Sequence, residues 1–326
     1  MRASAAQAWW PAALVAGVAA LALSACGKGE ELAGPNGAPM PVAAAFYPLR
    51  EAAERIGGDR VRVTDLTPIG GQPHDVVLSP AATAALGKSK VVLAFGQGFQ
   101  PRVDRAIDAL PRTVRRADLL AGQALVPAAT AIPGVRGEVD GGRDEALEGG
   151  EDPHVWVDPA RFITIAQQVK EVLIAADPAG KEAYEQRAAA YVGELRKLDA
   201  DFRSQLAGCA GATVLTSHAA FAYLADDYGL RQAAIAGISP DDTPDARSLA
   251  AIGRYARAHD VRTIFFAFPV SAKLQAAVKA ATGAATDALN PVEGLTFDQL
   301  DAKAGYVSIQ RDNLGRLVRG LPCTAA

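Results

Sequence analysis

The feature that most constrains the fold is an alternation of short apolar runs with helical segments, which occurs twice along the chain. The first series predicts strands at 42–46, 61–66, 91–95 and 113–117, with helices at 49–56, 80–86 and 101–109. The second predicts strands at 213–216, 232–235, 263–266 and 285–289, with helices at 218–228, 244–258, 272–281 and 297–321. Such alternation is typical of parallel sheets covered by helices. We therefore expect an α/β protein with two Rossmann-like lobes of parallel sheet.

A long amphipathic helix separates the two series. The pair Asp177-Pro178 predicts its start, because Asp caps helices and Pro suits their first turn. Apolar residues then recur at steps of three and four, namely Tyr184, Ala188, Tyr191, Leu195, Leu198, Phe202 and Leu206. A helix of about 40 Å can join two lobes, although a core helix of one domain would show the same stripe. We predict an N-terminal lobe at 41–177, a linking helix at 178–207 and a C-terminal lobe at 208–326.

The segment 127–151 lacks any regular apolar period. It is rich in glycine and contains the acidic residues Glu138, Asp140, Asp144, Glu145, Glu148 and Glu151. We interpret it as an acidic surface loop. It either attracts cations weakly through its local field or is a solvated insertion without a role.

The N-terminus is typical of an exported protein. Arg2 precedes an apolar stretch at 12–23 that is too short to span a bilayer as a helix, which needs about 20 apolar residues. The sequence Leu-Ser-Ala-Cys at 23–26 resembles a bacterial lipoprotein cleavage box, so we expect a signal peptide at 1–25 and lipidation of Cys26. A plain secretory signal with a nearby cysteine is the alternative. The Gly- and Pro-rich segment that follows, within 26–40, is predicted to be a flexible tether.

The remaining composition argues against other partners and further membrane contact. The chain carries a formal net charge of −3, and removal of Arg2 with the signal peptide makes it −4. This charge does not favour binding to nucleic acid. No second long hydrophobic run occurs, so the lipid is the only predicted membrane contact, and we expect a monomer held at the outer face of the cytoplasmic membrane.

Two cysteines are left once Cys26 is assigned to the lipid. Cys209 and Cys323 would meet an oxidising environment after export, and we predict a disulfide between them. Two buried free thiols are the alternative. Neither cysteine belongs to a CxxC motif of the kind that binds metals.

Three of the four histidines follow apolar runs in short, turn-rich contexts. They are His74, His154 and His218. Ligands of open α/β sheets gather beyond the carboxyl ends of strands, where these loops project, so we expect the three imidazoles to meet between the lobes. Three neutral imidazoles suit Zn²⁺ better than Mg²⁺, Ca²⁺ or Mn²⁺. His259 follows a predicted helix instead. A favourable interaction with the dipole at the helix C-terminus explains a histidine at that position without a metal.

These motifs resemble the zinc and manganese solute-binding proteins of bacterial ABC importers. The resemblance spans about 41–321 and includes Phe-Tyr-Pro-Leu at 46–49, Pro-His-Asp at 73–75, Asp-Pro-His-Val-Trp-Val-Asp-Pro at 152–159, Thr-Ser-His at 216–218 and Asn-Pro-Val-Glu-Gly-Leu-Thr at 290–296. It implies two α/β lobes joined by one rigid helix, and one metal ion bound in the cleft by His74, His154 and His218. Members that prefer manganese commonly carry a carboxylate at the position of His218, so its imidazole favours zinc.

The fourth ligand is left open by the sequence. The family often places an aspartate where this chain has Asn290, whose amide oxygen can still coordinate, though less strongly than a carboxylate. We rank Asn290 or a water molecule above Glu293 for this position. Asp75 and Asp152 are candidates to orient ligand histidines by accepting their second N–H group, or alternatively to cap turns.

The resemblance implies capture of Zn²⁺ and its delivery to the permease and ATPase of an ABC importer, without enzymatic activity. A manganese- or iron-type receptor of the same family is the nearest alternative. A zinc hydrolase with three histidine ligands would need a positioned carboxylate, for which only Glu293 and Asp75 are available. A lipid-anchored scaffold locked by metal would unfold on chelation.

Overall fold

The structure is a computed structural model that describes residues 38–129, 132–133, 146–235, 245–267 and 272–324. The predicted signal peptide, Cys26 and most of the tether lie outside these residues. The same holds for much of the acidic loop, of which 127–129, 132–133 and 146–151 are described. Its two ends meet in an antiparallel bridge between Pro127 and Glu151.

The first half of the chain forms a four-stranded parallel sheet in the order β2-β1-β3-β4. Its strands are β1 (Met40–Ala44), β2 (Val61–Asp65), β3 (Val91–Ala94) and β4 (Arg115–Asp118). Helices α1 (Tyr47–Gly57), α2 (Pro80–Lys88) and α3 (Pro101–Asp108) connect them. Each of these helices has a proline in its first turn, where the missing N–H group costs no hydrogen bond.

The second half repeats this topology in a sheet of order β6-β5-β7-β8. Its strands are β5 (Thr213–Thr216), β6 (Arg231–Ala234), β7 (Thr263–Phe266) and β8 (Ala285–Ala288). The α/β prediction is thereby confirmed, with strand ends within two residues of those predicted. Because both sheets are parallel, the loops that follow their strands gather at the carboxyl edge of each sheet.

Two helices lie between the sheets in sequence, α4 (Pro159–Ala176) and α5 (Lys181–Leu206). The second is the predicted long helix, extended at each end by a short 3₁₀ turn, and all seven residues of its predicted stripe are buried. It packs on α4, on α1 and on the last helix of the chain. One hydrophobic core includes this stripe and the first sheet, and a smaller core lies under the second sheet.

The helix predicted at 218–228 was wrong at its start. Helix α6 spans Ala222–Asp227, so His218 lies before it rather than in its first turn. Side chains outside this helix make hydrogen bonds with backbone groups of the segment. Thr216 Oγ1 donates to the His218 carbonyl oxygen at 2.6 Å, and the Phe221 N–H donates to Gln232 Oε1 at 3.0 Å. The segment therefore leaves the strand as an irregular loop.

The helices after β6 match the prediction except for the last one. Helix α7 spans Ala246–Ala258 and α8 spans Ala272–Thr282, but the predicted helix 297–321 is two helices, α9 (Phe297–Asp301) and α10 (Tyr306–Gly320). Lys303 between them has a φ of +53°, which interrupts the helix. The buried Glu51 then accepts the Tyr306 N–H at 2.7 Å and satisfies the start of α10.

Cys209 and Cys323 form the predicted disulfide, with their Cα atoms 4.1 Å apart. It joins the turn after the long helix to the segment after α10, across 114 residues. Within the part of the chain that the structure describes, no helix is both long and apolar enough to cross a membrane.

Candidate metal centre

Four loops each bring one side chain of a type that can bind metals to the carboxyl edges of the two sheets. His74 lies between β2 and α2, and His154 precedes α4 at the start of a 3₁₀ turn, Val155–Val157. His218 follows β5 by two residues, and Glu293 lies in the loop after β8. The first two belong to the half of the chain with the first sheet, and the other two to the half with the second.

The ligand atoms of these four side chains all lie within 4.8 Å of one another. His154 Nε2 is 3.2 Å from His74 Nε2, and His218 Nε2 is 2.9 Å from Glu293 Oε1. Glu293 Oε1 is also 3.7 Å from His74 Nε2 and 3.6 Å from His154 Nε2. The corners of a tetrahedron with zinc bonds of 2.0–2.1 Å are about 3.3 Å apart, and these four separations, 2.9–3.7 Å, lie close to that spacing.

The cluster is enclosed by protein. His154 and His218 have no exposed surface, while His74 is 8% and Glu293 6% exposed. The ring centroids of the three histidines are 4.9 to 6.1 Å apart. Burial of a carboxylate among three imidazoles favours the binding of a divalent cation, whose charge offsets the cost of burying the carboxylate.

Asp152 orients the ring of His154. Its Oδ1 accepts the ring Nδ1–H at 2.7 Å and the backbone N–H of the same residue at 2.8 Å. Tyr223 in turn donates its hydroxyl to the Asp152 carbonyl oxygen at 2.6 Å. With Nδ1 protonated by this contact, Nε2 of His154 faces the other three ligand atoms and is the atom available to a metal.

The pKa values of the cluster follow from burial and from mutual attraction. Burial raises the pKa of Glu293, but the charge of His218 and hydrogen bonds from the histidines hold it well below its usual range. Burial lowers the pKa of His154, but Asp152 and Glu293 raise it to about 9. The pKa of His218 is lowered, because burial outweighs the attraction of Glu293. At neutral pH a cation that binds here therefore displaces a proton from His154.

The remaining candidates lie in different surroundings. Asn290 is buried, but its Oδ1 accepts the Val292 N–H at 2.7 Å, and Glu293 is the residue grouped with the histidines. Asp75 is exposed, whereas Asp152 is buried against His154. His259 ends α7, with its ring stacked on Tyr255 at a centroid distance of 4.1 Å.

From the sequence, Asn290 or a water molecule ranked above Glu293 as fourth ligand, and in the structure Glu293 lies with the three histidines. Its motif, Asn-Pro-Val-Glu, was recognised, but which of the two polar residues points to the histidines depends on the backbone between them. That backbone turns at Val292, which has a φ of +58°. The sequence does not indicate that a valine adopts the left-handed conformation, because that conformation is rare for β-branched residues.

The chain is similar to known proteins of zinc uptake. The family model described as zinc-uptake complex component A, periplasmic, matches residues 42–320. The zinc-binding lipoprotein AdcA of Streptococcus pneumoniae is 32% identical over 307 residues, which cover 93% of this chain and 59% of that protein. The high-affinity zinc uptake system protein ZnuA of Bacillus subtilis is 31% identical over 320 residues, covering 94% of this chain and 96% of that protein.

A solved structure shows the same fold. The crystal structure of the Zn(II)-bound ZnuA-like domain of Streptococcus pneumoniae AdcA superposes with a TM-score of 0.74 at 31% identity. The match covers 86% of this chain and 98% of that domain. This chain spans 59% of the length of the full streptococcal lipoprotein, so the similarity concerns one part of that protein.

Proposed function

This chain belongs to the family of the periplasmic zinc-uptake complex component A, and on that premise we propose that it is an extracytoplasmic zinc receptor of an ABC importer. It binds one Zn²⁺ between its two lobes and delivers the ion to the permease, which the ATPase drives. The observation that carries the proposal is the convergence of three imidazoles and one carboxylate in a buried cluster.

We propose His74, His154, His218 and Glu293 as the four ligands. Their arrangement supplies three nitrogens and one oxygen to a tetrahedral site, which suits Zn²⁺. Manganese prefers oxygen ligands and a larger coordination number. The proposed preference for zinc therefore depends on the third imidazole, His218.

The preference can be tested by metal competition. Protein purified without added metal is offered zinc and manganese at equal concentration, and we expect one zinc per chain with manganese excluded. The matched variant His218→Asp replaces a nitrogen by an oxygen and should shift the ratio of bound metals toward manganese. Retention of manganese by the unaltered protein in this competition would contradict the proposal.

We propose that the protein is not an enzyme. A zinc hydrolase keeps an open position for water and a nearby acid or base. Here the buried carboxylate, Glu293, lies within ligand distance of the histidines and completes the donor set. Hydrolysis of ester or peptide substrates by the zinc-loaded protein, lost in His218→Ala, would contradict this part of the proposal.

We also propose that the mature chain is a monomer attached to the outer face of the cytoplasmic membrane through a lipid on Cys26. The lipoprotein-like sequence at 23–26 supports this, and more than one acyl chain suffices for stable attachment. In cell fractionation, Cys26→Ser should move the protein from the membrane to the soluble fraction. An unchanged membrane fraction in that variant would contradict the anchor.

A further inference from the structure

The loop that carries Glu293 to the histidines contains a strained residue. Val292 is fully buried and has a φ of +58°, in the left-handed region of backbone conformation. A β-branched side chain is sterically disfavoured there. Such a conformation persists only where the surrounding contacts enforce it, and it is directly followed by a proposed metal ligand.

Asn290 supplies the nearest of these contacts. Its side-chain Oδ1 accepts the Val292 N–H at 2.7 Å, which ties the strained residue to the one two positions before it. Asparagine side chains commonly fix turns through bonds of this span. The Asn290 amide oxygen is therefore directed at the backbone of its own loop.

Two further buried side chains make hydrogen bonds with backbone groups of Asn290 and Pro291. Asn313 on α10 accepts the Asn290 N–H at 2.9 Å and donates to the Asn290 carbonyl oxygen at 2.7 Å. The Trp156 ring N–H donates to the Pro291 carbonyl oxygen at 2.8 Å. The three residues before Glu293 thus each have a backbone group fixed by a side chain, which leaves the loop little freedom to aim Glu293 elsewhere.

We infer that Asn290 is a positioning residue of the metal centre, which holds Val292 in its left-handed conformation and thereby directs the Glu293 carboxylate at the three histidines. The inference rests on the proposed function in one respect, that Glu293 is a ligand. Asn290 acts through Glu293 without touching the ion. Since both an amide and a carboxylate can accept the Val292 N–H, this role also accounts for Asn290 where the family often has an aspartate.

The inference predicts a rescue. Asn290→Ala removes the acceptor and should weaken zinc affinity by about tenfold or more, as loss of outer contacts of metal ligands generally does. Val292→Gly should bind zinc nearly as well as the unaltered protein, because glycine adopts a positive φ without steric cost. In the double variant, the glycine should restore most of the affinity that Asn290→Ala loses. A double variant as weak as Asn290→Ala would overturn the inference, since glycine cannot replace a missing ligand.

The control variant is Thr296→Ala, which lies in the same loop beyond Glu293. It also loses a bond from a side chain to the backbone, since Thr296 Oγ1 accepts the Gln299 N–H at 3.2 Å. It should keep the zinc affinity of the unaltered protein. A loss equal to that of Asn290→Ala would show a general sensitivity of the loop and overturn the specific role of Asn290.

A second readout covers the case in which a variant at Val292 does not fold. Asn290→Asp keeps an acceptor for the Val292 N–H, and its Co²⁺ complex should show the same visible absorption bands as that of the unaltered protein. Altered bands would identify residue 290 as a ligand and overturn the inference.

Glu293→Ala separates this inference from the proposed function. Unchanged zinc affinity in Glu293→Ala would contradict the proposed ligand set. Weakened affinity in Glu293→Ala together with unchanged affinity in Asn290→Ala would overturn only the positioning role.

Discussion

Asp152 determines which nitrogen of His154 is available to a metal. Because its Oδ1 accepts the ring N–H at 2.7 Å, we expect Asp152→Asn to weaken zinc affinity by about 10- to 100-fold. The neutral amide is a poorer acceptor and no longer stabilises the ring. Competition with a chromophoric chelator measures the change, and circular dichroism checks the fold.

The comparison variant is Asp75→Asn, which removes the same charge next to a different ligand histidine. Asp75 is exposed, so water screens its charge, and we expect a much smaller effect on zinc affinity. Equal losses in the two variants would contradict the orienting role assigned to Asp152.

Zinc affinity should depend on pH through the same histidine. The pKa of His154 is raised to about 9, so below that pH zinc binding releases a proton and affinity falls about tenfold per pH unit of acidification. The fall should become steeper at lower pH, where His218 also protonates, because burial lowers the pKa of that imidazole from its ordinary value. Calorimetry in buffers of different ionisation enthalpy measures the released protons, and an affinity unchanged between pH 8 and pH 5 would contradict the ligand set.

The stability of the protein in the absence of zinc should change in the opposite sense. A raised pKa means that the protonated form of His154 is favoured by folding. Its contribution to the free energy of unfolding is complete below about pH 6.5 and is lost as pH rises through about 9. Zinc binding therefore strengthens over the range in which this contribution disappears.

The three histidines could be predicted from sequence because each lies in a short, turn-rich motif. The fourth position could not be predicted, since which polar residue of this loop faces the histidines depends on the left-handed turn at Val292 and on the hydrogen bond that Asn290 Oδ1 accepts from the Val292 N–H. Both Asn290 and Glu293 carry a side-chain oxygen that can bind a metal, so residue type does not distinguish them. Only the conformation of the backbone between Asn290 and Glu293 determines which of the two side chains faces the histidines.

At the scale of elements, strands and the long helix were predictable because they carry clear apolar periods. The two errors lie where side chains from distant segments decide the backbone. Gln232 holds the Phe221 N–H, which keeps 218–221 out of helix α6, and Glu51 caps α10 from the first half of the chain. Neither contact can be predicted from the helix propensity of the local sequence.

The long helix should be stabilised by its buried stripe. Leu198 is fully buried on α5, and Leu198→Ala should lower the free energy of unfolding by about 2–5 kcal/mol through lost burial and a cavity. The adjacent Lys197 is exposed, and Lys197→Ala should change the free energy of unfolding by no more than about 0.5 kcal/mol. Denaturant titration measures both, and similar small effects would show that the helix is not held by this face.

For the whole molecule, metal removal should loosen the cleft without unfolding the lobes. The two hydrophobic cores and the disulfide between Cys209 and Cys323 are made by residues other than the four of the cluster. A chelator should therefore leave the circular dichroism spectrum unchanged. Zinc at 100 times its Kd should add about 2.7 kcal/mol and raise the melting temperature. Unfolding on chelation would favour a structural role of the metal over a receptor.

We propose that one zinc ion is bound by three imidazoles and one carboxylate drawn from both halves of the chain. X-ray absorption spectroscopy of the zinc-loaded protein tests it most directly. We predict a four-coordinate ion with three imidazole nitrogens and one oxygen at about 2.0–2.1 Å, and two imidazoles in His218→Ala. A spectrum with fewer than three imidazoles in the unaltered protein, or one that His218→Ala leaves unchanged, would contradict the account.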